Sequence, residues 1–328
     1  MTPPARWKDV MVAAGAVPAS HVPEESLGRA DLTEVAGAEL VEDAELGVYG
    51  VDPASPGPPV VSFLDGIQRW SVTFYDGVVP IVRAYVAGAV RRRSAGRRLG
   101  TVGESTREFH AASLRALRPG VRAALEASGL ELVDVPEEAA QPGRALEAAR
   151  RTIENARVAL EKDLGERHAR SLAPEEWLVV DGLLSESAVL ADHPHTLGVI
   201  KSHGAQYFEG EALTRALTLP VLHRSSVFRP RGRARHEVYS WYLRLWPWEG
   251  NDLLFGLVRI EARAHDATVA AASATSGWLA RERAPISTPD RRWDRLLYPI
   301  HDVETYLKAR APRDLLPASA SRLPRTGT

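Results

Sequence analysis

The feature that most constrains the fold is a long amphipathic segment at 142–169, PGRALEAARRTIENARVALEKDLGERHA. Leu146, Ile153 and Leu160 recur every seven residues along it, and further small or apolar residues such as Ala149 stand beside them. This spacing predicts one long helix with a single apolar face. The helix therefore divides the chain into a part that precedes it and a part that follows it.

Strand-like apolar runs lie on both sides of this helix. We expect the last two runs before it to form a hairpin that turns at Asp76-Gly77. The runs before the helix are 59–65, 70–76 and 78–90; those after it are 176–181, 196–202, 237–246 and 253–262, with helices expected at about 207–217 and 266–282. Three strands in a meander, then a helix and a parallel strand, are the opening of a ribonuclease-H-like sheet. We therefore expect an α/β fold with a mixed sheet flanked by helices.

Composition sets the expected boundaries. Residues 1–58, rich in Ala, Pro and acids, are interpreted as an irregular N-terminal region, and 59–310 as one domain. Within it, 91–141 is interpreted as an insertion that is helical in parts, and 311–328 as a flexible tail. The chain has no cysteine, no apolar run near the roughly 20 residues that cross a bilayer, and no signal-peptide pattern. We therefore expect a cytoplasmic protein without disulfides, thiolate metal sites or a membrane partner.

Charge is distributed unevenly along a chain whose net charge is −1. Residues 21–50 contain eight acids and one arginine, whereas 91–98 and 223–236 are basic, the latter with five arginines. The basic stretches indicate either a local phosphate-binding track or two solvated loops.

Asp65 and Asp181 each follow an apolar run and precede a glycine. A single Asp-Gly pair is typical of a turn. In a ribonuclease-H-like sheet, however, the two strands that they close are neighbours. Two adjacent carboxylates must share a proton or bind a cation, and Mg²⁺ or Mn²⁺ takes such oxygen ligands. A metal site of this kind would suit hydrolysis of a phosphodiester.

A third carboxylate is expected from the long helix. Glu147, Glu154 and Glu161 are spaced by seven, so they line one face beside the apolar stripe. The alternative is a solvated acidic edge that pairs with nearby arginines.

Other polar residues follow the predicted strands. Lys201 could hold a phosphate oxygen or be a surface lysine, and His203 beyond it is expected on the surface. His301 or Asp302 near the C-terminus could supply the last ligand or a proton-transfer group. Arg259 and Glu261 stand two apart in an apolar strand, so they are expected on one face and in contact.

Six short motifs, in this order, resemble the landmarks of the NurA nucleases over residues 59–310. They are FLDG (63–66), VVDG (179–182), LGVIKS (197–202), YLRL (242–245), VRIEA (258–262) and LLYP (296–299). The resemblance implies a ribonuclease-H-like, Mn²⁺-dependent (or Mg²⁺-dependent) nuclease that acts on DNA. It also implies a homodimer that docks on the hexameric ATPase HerA in DNA-end processing, a DNA repair role, or in antiviral defence against phage.

The same resemblance implies that Asp65 and Asp181 are metal ligands together with Glu147 or Glu154. The sequence departs from the family where serine usually follows each Asp-Gly, because Ile67 and Leu183 stand there. A non-catalytic adaptor that keeps the nuclease fold and docks on a ring ATPase is therefore the alternative.

Overall fold

The computed structural model describes residues 34–93, 98–136, 141–232, 234–285 and 292–315. The strands are β1 (Glu34–Val35), β2 (Ala38–Leu40), β3 (Val48–Gly50), β4 (Val60–Asp76), β5 (Val79–Arg93), β6 (Leu99–Ala112), β7 (Glu131–Asp134), β8 (Glu176–Asp181), β9 (Thr196–Ile200), β10 (Ala205–Gln206), β11 (His223–Ser225), β12 (Phe228–Pro230), β13 (Val238–Arg244) and β14 (Leu257–Arg263). The α-helices are α1 (Pro119–Glu126), α2 (Pro142–Ala169), α3 (Ala188–Asp192), α4 (Gly210–Leu217), α5 (Asp266–Arg281) and α6 (Tyr298–Arg310). None of the helices in this described part combines the length and apolar character that a membrane crossing needs.

The chain forms two compact units, and each is described by itself. The described residues of the first unit are numbered up to 63 and from 169 to 301; those of the second are 64–93, 98–168 and from 302 on. Strand β4 and helix α6 contribute residues to both units. Mixed sheets and flanking helices make the protein an α/β protein, as expected from the sequence.

The sheet of the first unit has the order β2-β12-β13-β14-β9-β8, followed by the first residues of β4. It is mixed, because β8 and β9 are parallel whereas β9, β14 and β13 alternate in direction. Strand β13 is buried along its whole length. Successive side chains of a strand point to opposite faces: Trp241 donates to Ser276 of α5 at 2.8 Å, while Tyr242 packs in an apolar cluster with Ala216 of α4. Helices therefore cover both faces.

The second unit contains the order β4-β5-β6-β7. Strands β4 and β5 form a long hairpin whose turn contains Gly77 at φ +59°, and β5 and β6 are antiparallel with a register shift after Val90. The apolar stripe of α2 packs on this sheet: Ala149 and Ile153 are buried against Val82 and Phe109. The long-helix prediction is therefore confirmed, as is the hairpin turn.

Several boundaries differ from the sequence expectation. Runs 59–65 and 70–76 belong to the single strand β4, so Asp65 does not end a strand, and that prediction is wrong. Residues 99–112 are strand β6 rather than partly helical, whereas α1 lies where a helix was expected. Of the expected irregular region, 34–50 holds β1–β3. Residues 1–33 and 316–328 lie outside the described residues.

Candidate functional site

The first predicted ligand, Asp181, is the last residue of β8, as expected. In the parallel register of β8 and β9 it lies opposite Val199. Lys201 follows Val199 by two residues and so has the same side-chain direction. Its Nζ atom is 2.6 Å from Asp181 Oδ2, and the two side chains are 12% and 20% exposed. Asp181 and Lys201 therefore form an ion pair at the carboxyl ends of two parallel strands.

Two glycines shape the chain beside this pair. Gly182 has φ +143°, a conformation that favours glycine, so the Asp-Gly pair at 181–182 is a turn out of the strand. This turn passes close to Gly198 on β9. A Cβ at position 198 would lie only 2.5 Å from Gly182 O. The position of the Asp181 carboxylate thus depends on the absence of a side chain at 198.

The second predicted ligand, Asp65, belongs to the second unit and is 8% exposed within strand β4. Its Oδ1 atom accepts a hydrogen bond from the N–H of Gly66 at 2.7 Å. Gly66 is not a turn residue. A Cβ there would overlap Glu161 Oε1 and lie 2.6 Å from Glu161 Cδ. A glycine inside a strand often marks the close approach of another group, and here that group is a helix carboxylate.

The Glu161 carboxylate is held by an arginine one helical turn earlier. Arg157 Nη1 is 2.5 Å from Glu161 Oε1, and the Glu161 side chain is only 11% exposed. Burial lowers the pKa of Arg157, but the negative charges of Glu161, Asp65 and Glu154 outweigh burial and raise it. Asp65 and Glu161 thus lie in one electrostatic environment, with a guanidinium as the positive charge.

The two glutamates preferred from the sequence lie elsewhere on the helix. Glu154 is exposed, and Glu147 has a 41% exposed side chain paired with Arg150 at 3.4 Å. Steps of seven residues move a side chain about 10 Å along the helix axis. Of the three glutamates, Glu161 is the one that lies against Gly66. Glu147 is paired at the exposed edge, as in the acidic-edge alternative.

The C-terminal candidates both lie in α6. Asp302 forms an ion pair with Arg91 of β5 at 2.7 Å, in the second unit. His301 is half-buried and belongs to the first unit. Arg91 comes from the basic stretch 91–98, so one member of that stretch has a structural partner rather than an open phosphate site.

The basic stretch 223–236 is neutralised by the acidic N-terminal segment. Arg224 makes two hydrogen bonds of 2.7 Å to Glu42, and Arg229 and Arg231 contact Glu39 at 3.5 and 3.1 Å. The stretch also contributes strands β11 and β12, which pair with β3 and β2. Arg224 and Arg229 therefore belong to strands with acidic partners, whereas Arg231, with a 65% exposed side chain, fits the solvated-loop alternative.

The ligand capacity of the site is limited to small sets. Within the described residues, no three His, Asp or Glu side chains are grouped closely enough to hold a metal ion by themselves. The oxygens of Asp65 and Glu161 are nevertheless the donors that Mg²⁺ and Mn²⁺ prefer. Magnesium sites commonly use one or two carboxylates, with water and substrate phosphate completing the shell. The second unit supplies two such carboxylates, both acting on Arg157.

Sequence reasoning placed Glu161 among three equivalent helix glutamates without singling it out, and it did not name Arg157 as a site residue. The signal that could have found Glu161 is Gly66, since a glycine inside a predicted apolar run indicates a neighbour that needs room. A comparison with models of known protein families gives no match, and neither does a comparison with curated proteins.

Proposed function

We propose that the protein is a nuclease, a hydrolase that cleaves phosphodiester bonds in DNA with the help of Mn²⁺ or Mg²⁺. The observation that carries the proposal is that two largely buried carboxylates of the second unit, those of Asp65 and Glu161, act on one guanidinium, that of Arg157. Two negative charges in such surroundings need positive compensation. Arg157 supplies part of that compensation, and a divalent cation would supply more.

Asp65 and Glu161 would hold the ion in the second unit, and Asp181 is proposed, separately, as a metal-binding carboxylate of the first unit. These residues would then have the chemistry that a divalent cation supplies when bound, a lowered pKa of water and stabilisation of the charge on the leaving oxygen. Arg157 orients the Glu161 carboxylate through their 2.5 Å contact. Lys201 does the same for Asp181, and its ammonium group is also suited to a phosphate oxygen of the DNA.

The ribonuclease-H-like fold and the NurA-type role are parts of this proposal. Support comes from the antiparallel arrangement of β5 and β6 after the β4–β5 hairpin, followed in the chain by α2 and the parallel strands β8 and β9. The proposed partners are DNA, a second copy of the chain and a HerA-like hexameric ATPase. The proposed cellular role is DNA repair or antiviral defence.

A specific observation favours a second candidate, the non-catalytic adaptor that docks on a ring ATPase. Asp181 and Glu161 already have cationic partners on the chain, Lys201 and Arg157. A carboxylate neutralised in this way does not require a metal. The two candidates differ in whether Mn²⁺ binding depends on the carboxylates.

The test uses the purified full chain with single- and double-stranded DNA and Mn²⁺. Losing an outer-shell partner of a metal ligand typically lowers activity by about 10–100-fold. We expect Asp65→Asn and Glu161→Gln each to lower the cleavage rate by more than that. Glu147→Gln is the matched control on the same helix face, and we expect it to cleave like the wild type. Circular dichroism would verify that each variant is folded.

Calorimetric titration with Mn²⁺ separates the two candidates. Carboxylate-dependent Mn²⁺ binding with cleavage supports the nuclease. Wild-type protein that neither cleaves DNA nor binds Mn²⁺ would leave the adaptor. Cleavage that persists at the wild-type rate in Asp65→Asn with Asp181→Asn would refute both proposed metal-binding carboxylates.

A further inference from the structure

A cavity of about 280 Å³ opens in the first unit beyond the carboxyl ends of the parallel strands β8 and β9. Its walls come from the segments that follow these strands and from β14, and they include Leu183, Ser185, His203, Tyr207, Arg259 and Glu261. Ligands of α/β sheets bind in the crevice outside the carboxyl ends of the strands. Ligand pockets commonly measure roughly 300–1,000 Å³, so this cavity suits a ligand the size of one base.

The main polar group of the cavity is the Arg259 guanidinium, whose residue is 5% exposed. Its Nη1 atom donates to Glu261 Oε1 at 2.8 Å, as the sequence predicted for this pair, and to Ser240 Oγ at 3.0 Å. Glu261 Oε2 accepts from the N–H groups of Leu184 and Ser185 at 2.8 and 3.1 Å. Both hydrogen bonds of the guanidinium to described residues run from Nη1, so Nε and Nη2 of this cavity-lining residue have no partner among the described residues.

Two aromatic rings complete this arrangement. The Arg259 guanidinium lies 5.0 Å from the centre of the Tyr207 ring, which restrains its plane. His203, expected on the surface, is half-buried, and its Nε2 atom is 3.1 Å from Leu257 O. Burial lowers the pKa of His203 to about 4, so the ring is neutral at pH 7. With Nε2 donating to the carbonyl, Nδ1 is an acceptor.

Each charged side chain on the cavity wall has an opposite charge beside it. Arg259 is paired with Glu261, and Glu186 of the wall is 3.3 Å from Arg235. An anion would therefore meet no net positive charge from these four residues. The cavity instead offers a fixed pair of donors in neutral surroundings, which matches the polar edge of an uncharged heterocycle.

We propose that this cavity binds a single nucleobase and prefers guanine. Guanine presents two adjacent acceptors, O6 and N7, which match the forked donors of an arginine, whereas adenine presents a donor, N6, in place of O6. The inference rests on the proposed function, because action on DNA is what selects a nucleobase among planar heterocycles. Its role would be to hold one base of the substrate strand beside Asp181 and Lys201.

The test is calorimetric titration of the full chain with GMP, AMP, CMP and inorganic phosphate, in the presence of a chelator and without DNA. We expect GMP to bind at least about tenfold more tightly than AMP, the discrimination that one good bidentate contact gives. Phosphate alone should not compete with GMP. Because neither metal nor DNA is present, failure of this proposal and failure of the nuclease proposal are distinguishable.

Two variants test the assignment to Arg259. Arg259→Lys keeps the charge beside Glu261 but loses the fork, and we expect it to bind GMP and AMP alike. Ala234→Trp fills the cavity from its wall without touching the ion pair, and we expect at least a tenfold loss of GMP affinity. Ala270→Trp, on the exposed face of α5, is the matched control.

Three results would each overturn the proposal. They are equal affinity of the wild type for GMP and AMP, displacement of GMP by an equal concentration of phosphate, and unchanged GMP affinity in Ala234→Trp.

Discussion

The contact between Arg224 and Glu42 leads to a prediction about the acidic N-terminal segment. Arg224→Met should strongly destabilise the first unit. The two side chains are 4% and 15% exposed, and Glu42 Oε2 also accepts from the N–H of Val227 at 2.8 Å. Removing one partner of a buried ion pair leaves the other charge uncompensated, which costs about 3–5 kcal/mol. The Arg224 guanidinium also lies 4.3 Å from the centre of the Tyr49 ring, and that contact would be lost.

Urea unfolding followed by tryptophan fluorescence suits this measurement. Of the seven tryptophans among the described residues, six belong to the first unit and one to the second. Combining Arg224→Met with Glu42→Gln should cost less than the sum of the single changes, because the partners interact directly. Arg229→Met is the control. Its side chain is 37% exposed, and surface ion pairs are worth only about 0–1 kcal/mol. The reasoning is refuted if the free energies of unfolding of Arg224→Met and Arg229→Met differ by less than about 1 kcal/mol.

Two further perturbations test packing and titration. Gly277→Ala should lower the free energy of unfolding by about 1–3 kcal/mol, because a Cβ on α5 would overlap the backbone carbonyl of Asp52. Gly120→Ala in α1, where a Cβ meets open space, should instead raise it by about 0.5–1 kcal/mol; similar thermal unfolding of both variants would contradict the packing argument. The pKa of Asp76 is lowered mainly by a hydrogen bond from the backbone N–H of Arg118, and further by one from the Arg118 guanidinium. This carboxylate therefore stabilises the fold above its ordinary pKa of 3.8, and the contribution is lost as the pH falls through the lowered value. The stability difference between wild type and Asp76→Asn should accordingly shrink as the pH is lowered from 5 to about 2, and a constant difference would show that Asp76 is not the titrating group.

The sequence was sufficient for elements whose pattern is local. The helix at 142–169 has a sustained apolar stripe, and 176–181 is a short apolar run with a glycine after it. The hairpin turn at Gly77 requires a positive φ, which Asp-Gly supplies. In each case the period or the turn chemistry acts over a few residues, so no knowledge of distant partners is needed.

The sequence was insufficient where a distant partner decides. Strand β6 contains Gly100 and Gly103 and several polar residues, and it is extended because β5 pairs with it over a long register. Asp65-Gly66 has the composition of a turn, yet Glu161 occupies the space that the glycine leaves. The seven-residue repeat made the three glutamates equivalent, and only packing of α2 on the sheet distinguishes them.

The short strands β2 and β3 determine how the protein would respond to an N-terminal truncation. They supply hydrogen-bond partners to β12 and β11, which would otherwise present unpaired backbone groups at the border of a sheet. Such borders recruit strands from other molecules. A truncated chain that begins near residue 55 would therefore have unpaired strand edges at β11 and β12. It would also lose the acidic partners of the arginines that now pair with Glu39 and Glu42. We expect this chain to aggregate rather than to remain monodisperse.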